Sequence, residues 1–278
     1  MDVSAAHAAS LPETDNRWRP ARFSRDELLK ATVEGGMAGV VSHPLDNVLR
    51  HIERMCDGDP HFQFGLRGLT VYRPEQVLAL VADASGFAPD EGATEGAFRV
   101  EAQRILDACA AAGDRLGEAC RRRERMIFAT GHPPAPGKQN GLASLYGSLA
   151  GDLKRRGVEV LRPDGGPERT EDGMRVSVRY LEDVAVLTED GRPVHTHSGE
   201  SMLRMIDEDP PDLVFADHGF AGSAIERGVE TISVADVNDP ALLVAKEQGR
   251  TEIVIVMDDN VRADAYWPCF QEIVSRLP

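Results

Sequence analysis

The chain has 278 residues, 42% of them hydrophobic, and a formal net charge of −15. That length suits one large domain, or a domain with a smaller attached unit, and can bury a sizeable core. The charge excludes a general nucleic-acid surface and disfavours anionic membranes, because like charges repel.

Residues 1–22 are polar and irregular and read as a tail or a packed arm. Ser24-Arg-Asp-Glu27 is a capping-box pattern that starts a helix. A second helix is predicted over Pro44 to Met55, closed by the loop signature Cys56-Asp57-Gly58-Asp59-Pro60. Pro74 stands where a first-turn proline is tolerated, opening a helix that runs toward Gly86. Between Gly96 and Arg125, Ile105, Ala108, Cys109 and Ala112 fall on one helical face. Residues 1–125 are therefore expected to form a helical N-terminal subdomain.

The pattern changes at Met126–Thr130, a short apolar strand run. A Gly- and Pro-rich loop comes next, from Gly131 to Gly141. A helix over about Leu142 to Arg156 ends at Gly157, a natural C′ residue, and leads to the strand Val158–Leu161. The segment Arg175–His197 holds two β-rich runs and an Asp190-Gly191 turn signal, which predicts antiparallel pairing. Three more strand runs, Leu213–Ala216, Thr231–Ala235 and Glu252–Met257, alternate with helices over about Gly222–Arg227 and Pro240–Gln248. Alternation with short loops predicts an α/β fold. The expected architecture is a mostly parallel, Rossmann-like sheet with an antiparallel addition, residues 126–278 forming the catalytic domain behind the helical subdomain. There is no internal repeat and no strong linker.

The four cysteines, Cys56, Cys109, Cys120 and Cys269, have no CxxC spacing and read as reduced, mostly buried thiols. The N-terminus lacks a signal-peptide pattern and no 18-residue apolar run occurs, so a cytoplasmic location is expected.

The strand ends are the informative places. A polar cluster stands at each of them: Thr130-Gly-His132, His195-Thr-His-Ser198, Asp217-His-Gly219, Asp236-Val-Asn-Asp239 and Asp258-Asp-Asn260. Ligands of open α/β sheets bind outside the carboxyl ends of strands. No Walker loop, GxGxxG or GxSxG is present, which weakens the dinucleotide and acyl-hydrolase readings. Some of these residues have plain structural readings. Asp239 before Pro240 is most simply an N-cap, and Asp258 and Asp259 fit a solvated turn. His195 and His197 share a strand face, either as ligands of metal or phosphate or as exposed histidines. Asp217-His218 is the most site-like pair. His132 stands in a loop that opens toward a helix N-terminus and so suits an anion, with helix capping the rival reading; Lys138 nearby reads as a solvated charge. In the helical part, Asn47 and His51 share a face and Arg50 could clamp an anion, against the alternative of a solvated helix face.

Together, Asn47-Val-Leu-Arg-His51, Gly58-Asp59 with Phe62 and Phe64-Gly65-Leu66, Phe128-Ala-Thr-Gly-His-Pro133, His195-Thr-His-Ser198, Ala216-Asp-His-Gly219 and Ala235-Asp-Val-Asn-Asp-Pro-Ala-Leu242 resemble a bacterial family of phosphatases. The resemblance runs from about residue 36 to the C-terminus. The family differs from haloacid-dehalogenase phosphatases, whose DxDx nucleophile pattern is missing here. The segment Pro134–Asn140 departs from the family pattern, which bears on substrate preference. Relatives of this kind suggest a tailoring step in nucleoside biosynthesis.

The resemblance implies hydrolysis of a small phosphate monoester, nucleotide-like or a sugar phosphate. Several carboxylates facing a phosphate dianion would repel it, and a divalent cation resolves the conflict. The expected ligands are Asp217, Asp236 and Asn238, with Mg²⁺ or Mn²⁺ favoured by that oxygen-rich set and Mn²⁺, Fe or Zn²⁺ if histidines bind instead. The expected catalytic residues are His218, Asp217 and His132. The expected substrate-binding residues are Asn47, Arg50, His51, Thr130, Gly131, His195, His197 and Ser198. A metal-free route with His132 or His218 as nucleophile stays open, as do a sugar-phosphate isomerase and a non-hydrolytic phosphate-binding protein. The expected partner is the small phosphorylated substrate, with no nucleic acid and no membrane, and the oligomeric state is left open.

Overall fold

The computed structural model describes residues 16–134, 141–169 and 173–278; the rest of the expected N-terminal tail, and residues 135–140 with Lys138, lie outside the described residues. In chain order the elements are α1 (Arg25–Glu34), β1 (Gly39–Val40), α2 (Leu45–Cys56), α3 (Pro60–Gln63), α4 (Pro74–Ser85), β2 (Arg99–Val100), α5 (Ala102–Arg122), β3 (Arg125–Ala129), α6 (Leu142–Arg155) and β4 (Glu159–Val160). They continue with β5 (Pro167–Arg169), β6 (Arg175–Leu181), β7 (Val184–Glu189), β8 (Arg192–Pro193), α7 (Glu200–Glu208), β9 (Leu213–Asp217), α8 (His218–Glu226), β10 (Glu230–Ala235), α9 (Pro240–Glu247), β11 (Ile253–Val256) and α10 (Trp267–Val274).

The expected α/β sheet is present. Its order is β11-β10-β9-β3-β7-β6-β5, with β4 beside β3 and β8 beside β7. Pairs among β11, β10, β9, β3, β4 and β7 are parallel, while β6 joins β7 and β5 antiparallel. The parallel strands are nearly continuous apolar runs because helices cover them: Leu213, Val214, Phe215 and Ala216 of β9 are all buried. The Asp190-Gly191 turn closes β7 on β8, with both residues at positive φ as a tight hairpin requires. From β3 the chain first builds β4 and β7 on one side, then crosses to β9 on the other. The crevice at such a reversal is where an α/β sheet leaves room for a ligand.

The helical segment packs on this sheet through one continuous core. On α2, Leu45, Val48, Ile52 and Met55 are buried at helical spacing, so Asp46 and Arg50 face outward. Asn47 and His51 fall at the edge of the apolar stripe, one turn apart. The capping box at Ser24 and Glu27 forms as expected. The described arm ahead of it is held by Gln271, whose amide donates to the Arg17 and Arg19 carbonyls and accepts from the Ala21 N–H. All four cysteines are free thiols. No helix among the described residues is long and apolar enough to cross a membrane.

Two elements differ from expectation in a way that matters for the site. The helix expected from Gly222 starts at His218, directly at the end of β9, because His218 takes a left-handed φ of 44° and turns the chain without a loop. A non-glycine residue held there stores strain, on the order of 1 kcal/mol or more, and such strain concentrates at functional positions. Helix α7, between the His195–Ser198 run and β9, has no counterpart among the predicted elements.

Candidate active site

The carboxyl ends of β3, β9, β10 and β11 deliver four of the polar clusters to one edge of the sheet, and the chain after β8 adds His195 and His197. The result is a cleft of about 570 Å³. The chain has eight histidines, and seven of them, His43, His51, His61, His132, His195, His197 and His218, line this cleft. Asn47, Phe62, Asn238, Asp239, Asp259 and Asn260 complete the wall.

At its floor lies His218, 3% exposed. Its Nε2 is 3.2 Å from Asp239 Oδ2 and 3.9 Å from Asp259 Oδ2, and its Nδ1 is 3.3 Å from Asp217 Oδ1 without meeting hydrogen-bond geometry. Burial alone would lower the imidazole pKa; the Asp239 and Asp217 carboxylates overcome it and hold the pKa well above 6.5. Asp239 responds in the opposite sense. Burial raises its pKa, and the charge and hydrogen bond of His218 bring it below 3.8. Asp239 does precede α9, but its side chain makes no capping bond there; it accepts instead from the Asp236 N–H at 3.1 Å.

Asp217 sits beneath the cleft rather than in its lining. Its carboxylate accepts from Thr130 Oγ1 at 2.5 Å and from the Gly131 N–H at 2.6 Å. Thr130 Oγ1 in turn accepts from the His132 N–H at 2.9 Å. Asp217 therefore shapes the loop that presents His132, whose Nδ1 lies 2.9 Å from Asp259 Oδ2. Thr130 and Gly131 are buried parts of this scaffold. Asp236 is also below the lining. It accepts from the Val237 N–H and lies 3.5 Å from His43 Nε2. Burial, and then the neighbouring Asp259, Asp258 and Asp239, raise its pKa well above 3.8.

The amide of Asn238 is turned to α2, donating to Asn47 Oδ1 at 3.0 Å. Arg50 does not line the cleft; it is half-exposed and lies 3.7 Å from Asp46. Ser198 faces a neighbouring depression with Glu168 and Arg204. Asn47, His51, His132, His195, His197 and His218 are brought together with Asp239 and Asp259, whose strand-end clusters the sequence marks but reads most simply as a cap and a turn, and with His43 and His61, which sequence pattern alone does not single out. The one signal for His61 is its place beside Phe62 in the family-like Gly58–Leu66 stretch.

His197 is stacked between His61 and His218, with ring centroids at 3.9 Å and 4.8 Å. Its Nδ1 is 2.9 Å from the His61 carbonyl. A carbonyl only accepts, so Nδ1 carries the proton and Nε2 keeps a lone pair. Burial, and then the positive His218, pulls the His197 pKa down to about 3. The same two causes lower that of His195, which remains more exposed at the rim. In chelator-treated protein, imidazole NMR signals of His197 are therefore expected to stay in the neutral position from about pH 8 to about pH 5. A protonation midpoint inside that range would contradict the stacked, buried arrangement.

The donor set fits a metal ion. His132, His195 and His218 form one group, and His218, Asp239 and Asp259 a second, each with candidate ligand atoms within 4.8 Å of one another. Ligands at about 2.1 Å from a metal stand roughly 3.0–3.4 Å apart, and His218 Nε2 and Asp239 Oδ2 are 3.2 Å apart. Asp259 Oδ1 and His218 Nδ1 are buried without a hydrogen-bond partner.

Fold and site together define an α/β protein with an enzyme-like crevice of histidines and carboxylates at the strand reversal. The Phosphatase family profile matches residues 23–278. Phosphatase SCO2771 of Streptomyces coelicolor is 34% identical to this chain over 256 residues, covering 89% of this chain and 94% of its own. No solved structure matches. The chain belongs to the Phosphatase family.

Proposed function

We propose that the protein hydrolyses monophosphate esters of small molecules, nucleotide-like or sugar phosphates, with a divalent ion held by His132, His195, His218, Asp239 and Asp259. The observation that carries this reading is the convergence of seven histidines and two buried carboxylates on one cleft in a chain of the Phosphatase family. Such an ion supplies charge neutralisation for the transferring phosphoryl group and makes water more acidic. Three-histidine ligation favours Mn²⁺, Fe or Zn²⁺ over Mg²⁺, so the donor set shifts the preference that carboxylates alone would give.

The remaining residues position and move protons. Asp239 fixes the His218 ring, and Asp217 fixes the Thr130–His132 loop. His197, with its Nε2 lone pair, is suited to accept from water or to serve as a further ligand. His43, which lines the cleft 3.5 Å from Asp236, is a candidate proton donor to the leaving oxygen. In this reading His218 is committed to the ion and to Asp239, and is not the attacking group.

Thorough chelation is expected to abolish phosphate release, and Mn²⁺ or Zn²⁺ to restore it. Full activity after chelation, with the metal content verified as zero, would remove the ion from the reaction. Loss of a sugar phosphate without release of inorganic phosphate would instead favour an isomerase, and saturable binding without turnover a binding protein. A place in nucleoside biosynthesis requires nucleoside monophosphates to head the substrate panel.

A further inference from the structure

The cleft has two unlike walls. The strand ends supply histidines and the Asp239 and Asp259 carboxylates. A second stretch of wall, from α2, α3 and Asn238 of the turn after β10, carries amides, imidazoles and an aromatic ring. There, three hydrogen bonds form a closed ring. Asn238 Nδ2 donates to Asn47 Oδ1 at 3.0 Å, Asn47 Nδ2 lies 3.5 Å from His51 Nε2, and His51 Nδ1 lies 2.9 Å from the Asn238 carbonyl. The carbonyl requires the proton on His51 Nδ1, which leaves Nε2 to accept from Asn47. Each amide nitrogen has two hydrogens and spends one in this ring, so each keeps an N–H for a ligand in the cleft that both residues line. Phe62 completes the wall, edge-on to His51 at 4.6 Å. Among the described lining residues there is no Lys or Arg.

Resting on the phosphatase reading, we propose that the substrates are monophosphates whose alcohol part is uncharged and hydrogen-bonding, docked on Asn47, Asn238 and Phe62. The oriented amides offer donors to hydroxyl or carbonyl oxygens, and Phe62 offers a flat apolar face. A second anionic group on the alcohol meets no Lys or Arg among the described lining residues and feels the Asp239 and Asp259 carboxylates of the same cleft, in the part of the chain from residue 161 onward, whose net charge is −13 from 24 acidic and 11 basic residues.

The test measures kcat/KM for phosphate release from a hexose monophosphate, phenyl phosphate and a phosphorylated hydroxy acid of similar size, using the metal-loaded full chain. The wild type is expected to favour the hexose phosphate over the carboxylated ester by about tenfold or more. In Asn47→Ala, and separately in Asn47→Ser as a milder change, the ratio of hexose phosphate to phenyl phosphate is expected to fall by about tenfold, mainly through KM. Equal rates on the neutral and carboxylated esters, or a hexose-to-phenyl ratio within about twofold of wild type in whichever variants fold, would overturn the proposal while leaving the phosphatase reading intact. Release of phosphate from none of the esters would sink the phosphatase reading, and this proposal with it.

Discussion

Asp239→Asn is expected to lower kcat/KM for phosphate release on the order of a thousandfold, with near-UV circular dichroism retained. The substitution keeps the shape of the side chain and removes its charge. That charge does two things in the structure: it faces His218 Nε2 at 3.2 Å, and it belongs to the group that can hold a cation. Metal content after dialysis is the second readout and is expected to fall as well. Near-normal turnover, with metal retained, would take Asp239 out of the site and leave it only the turn bond from the Asp236 N–H. The pair also sets a pH window in chelator-treated protein. The pKa of His218 is raised, so its contribution to stability is fully present below 6.5 and is lost as pH rises through the folded-state value. The pKa of Asp239 is lowered, so its contribution is present above 3.8 and is lost as pH falls through its folded-state value. Asp239→Asn removes the acid edge and moves the alkaline edge downward, which urea unfolding across pH will show.

Gly219→Ala is expected to destabilise the protein by about 3 kcal/mol or more, a fall in Tm of about 5 °C or more. A Cβ at Gly219 would lie 2.0 Å from the His197 carbonyl oxygen and 2.6 Å from two backbone carbons, and backbone cannot swing aside as a side-chain tip does. Gly151→Ala is the contrast. It lies in α6, where the nearest atom to an added Cβ is the end of the Arg155 side chain at 3.7 Å. Alanine there is expected to be neutral or stabilising by up to about 1 kcal/mol, through helix propensity. A Tm for Gly219→Ala within a degree of wild type would show that the loop bearing His195 and His197 has room to move.

Much of the parallel sheet can be read from the chain because its signals are local. The runs at Met126, Leu213, Thr231 and Glu252 are apolar and short, and the turn at Asp190-Gly191 and the stop at Gly157 need left-handed backbone that those residues tolerate. Helix α10 has no such signal. Its residues from Pro268 to Val274 are buried all round, so no polar face marks a period. Strands of two residues, such as β1 and β2, are too short to show alternation.

The site is legible to the extent that polar residues at strand ends announce themselves. Its composition is not. His43 and His61 carry no site-like pattern of their own and, like the expected His51, come from before β3, so only the packing of α2 and α3 on the strand ends brings them beside His132 and His218. Asp239 and Asp259 carry the same local pattern as a cap and a turn; what distinguishes them is a histidine many residues away in sequence. Conversely, Asp217 and Asp236 stand in conspicuous positions yet spend their oxygens on backbone N–H groups and on Thr130, because loops that turn sharply at strand ends leave donors that need partners.

The tight seams around α8 have a consequence for how such a cleft can diversify. Gly131 approaches the Thr196 carbonyl and Gly219 that of His197 so closely that a single methyl group fits in neither gap. The histidine wall is therefore one casting, in which no loop can lengthen or tilt without dislodging its neighbours. The amide wall is fastened differently, by the three side-chain hydrogen bonds of Asn47, His51 and Asn238. Changes at Asn47 and His51 can reshape that side of the cleft while the strand-end histidines stay in register, whereas His61, stacked on His197 and bonded to it through its carbonyl, must stay in place.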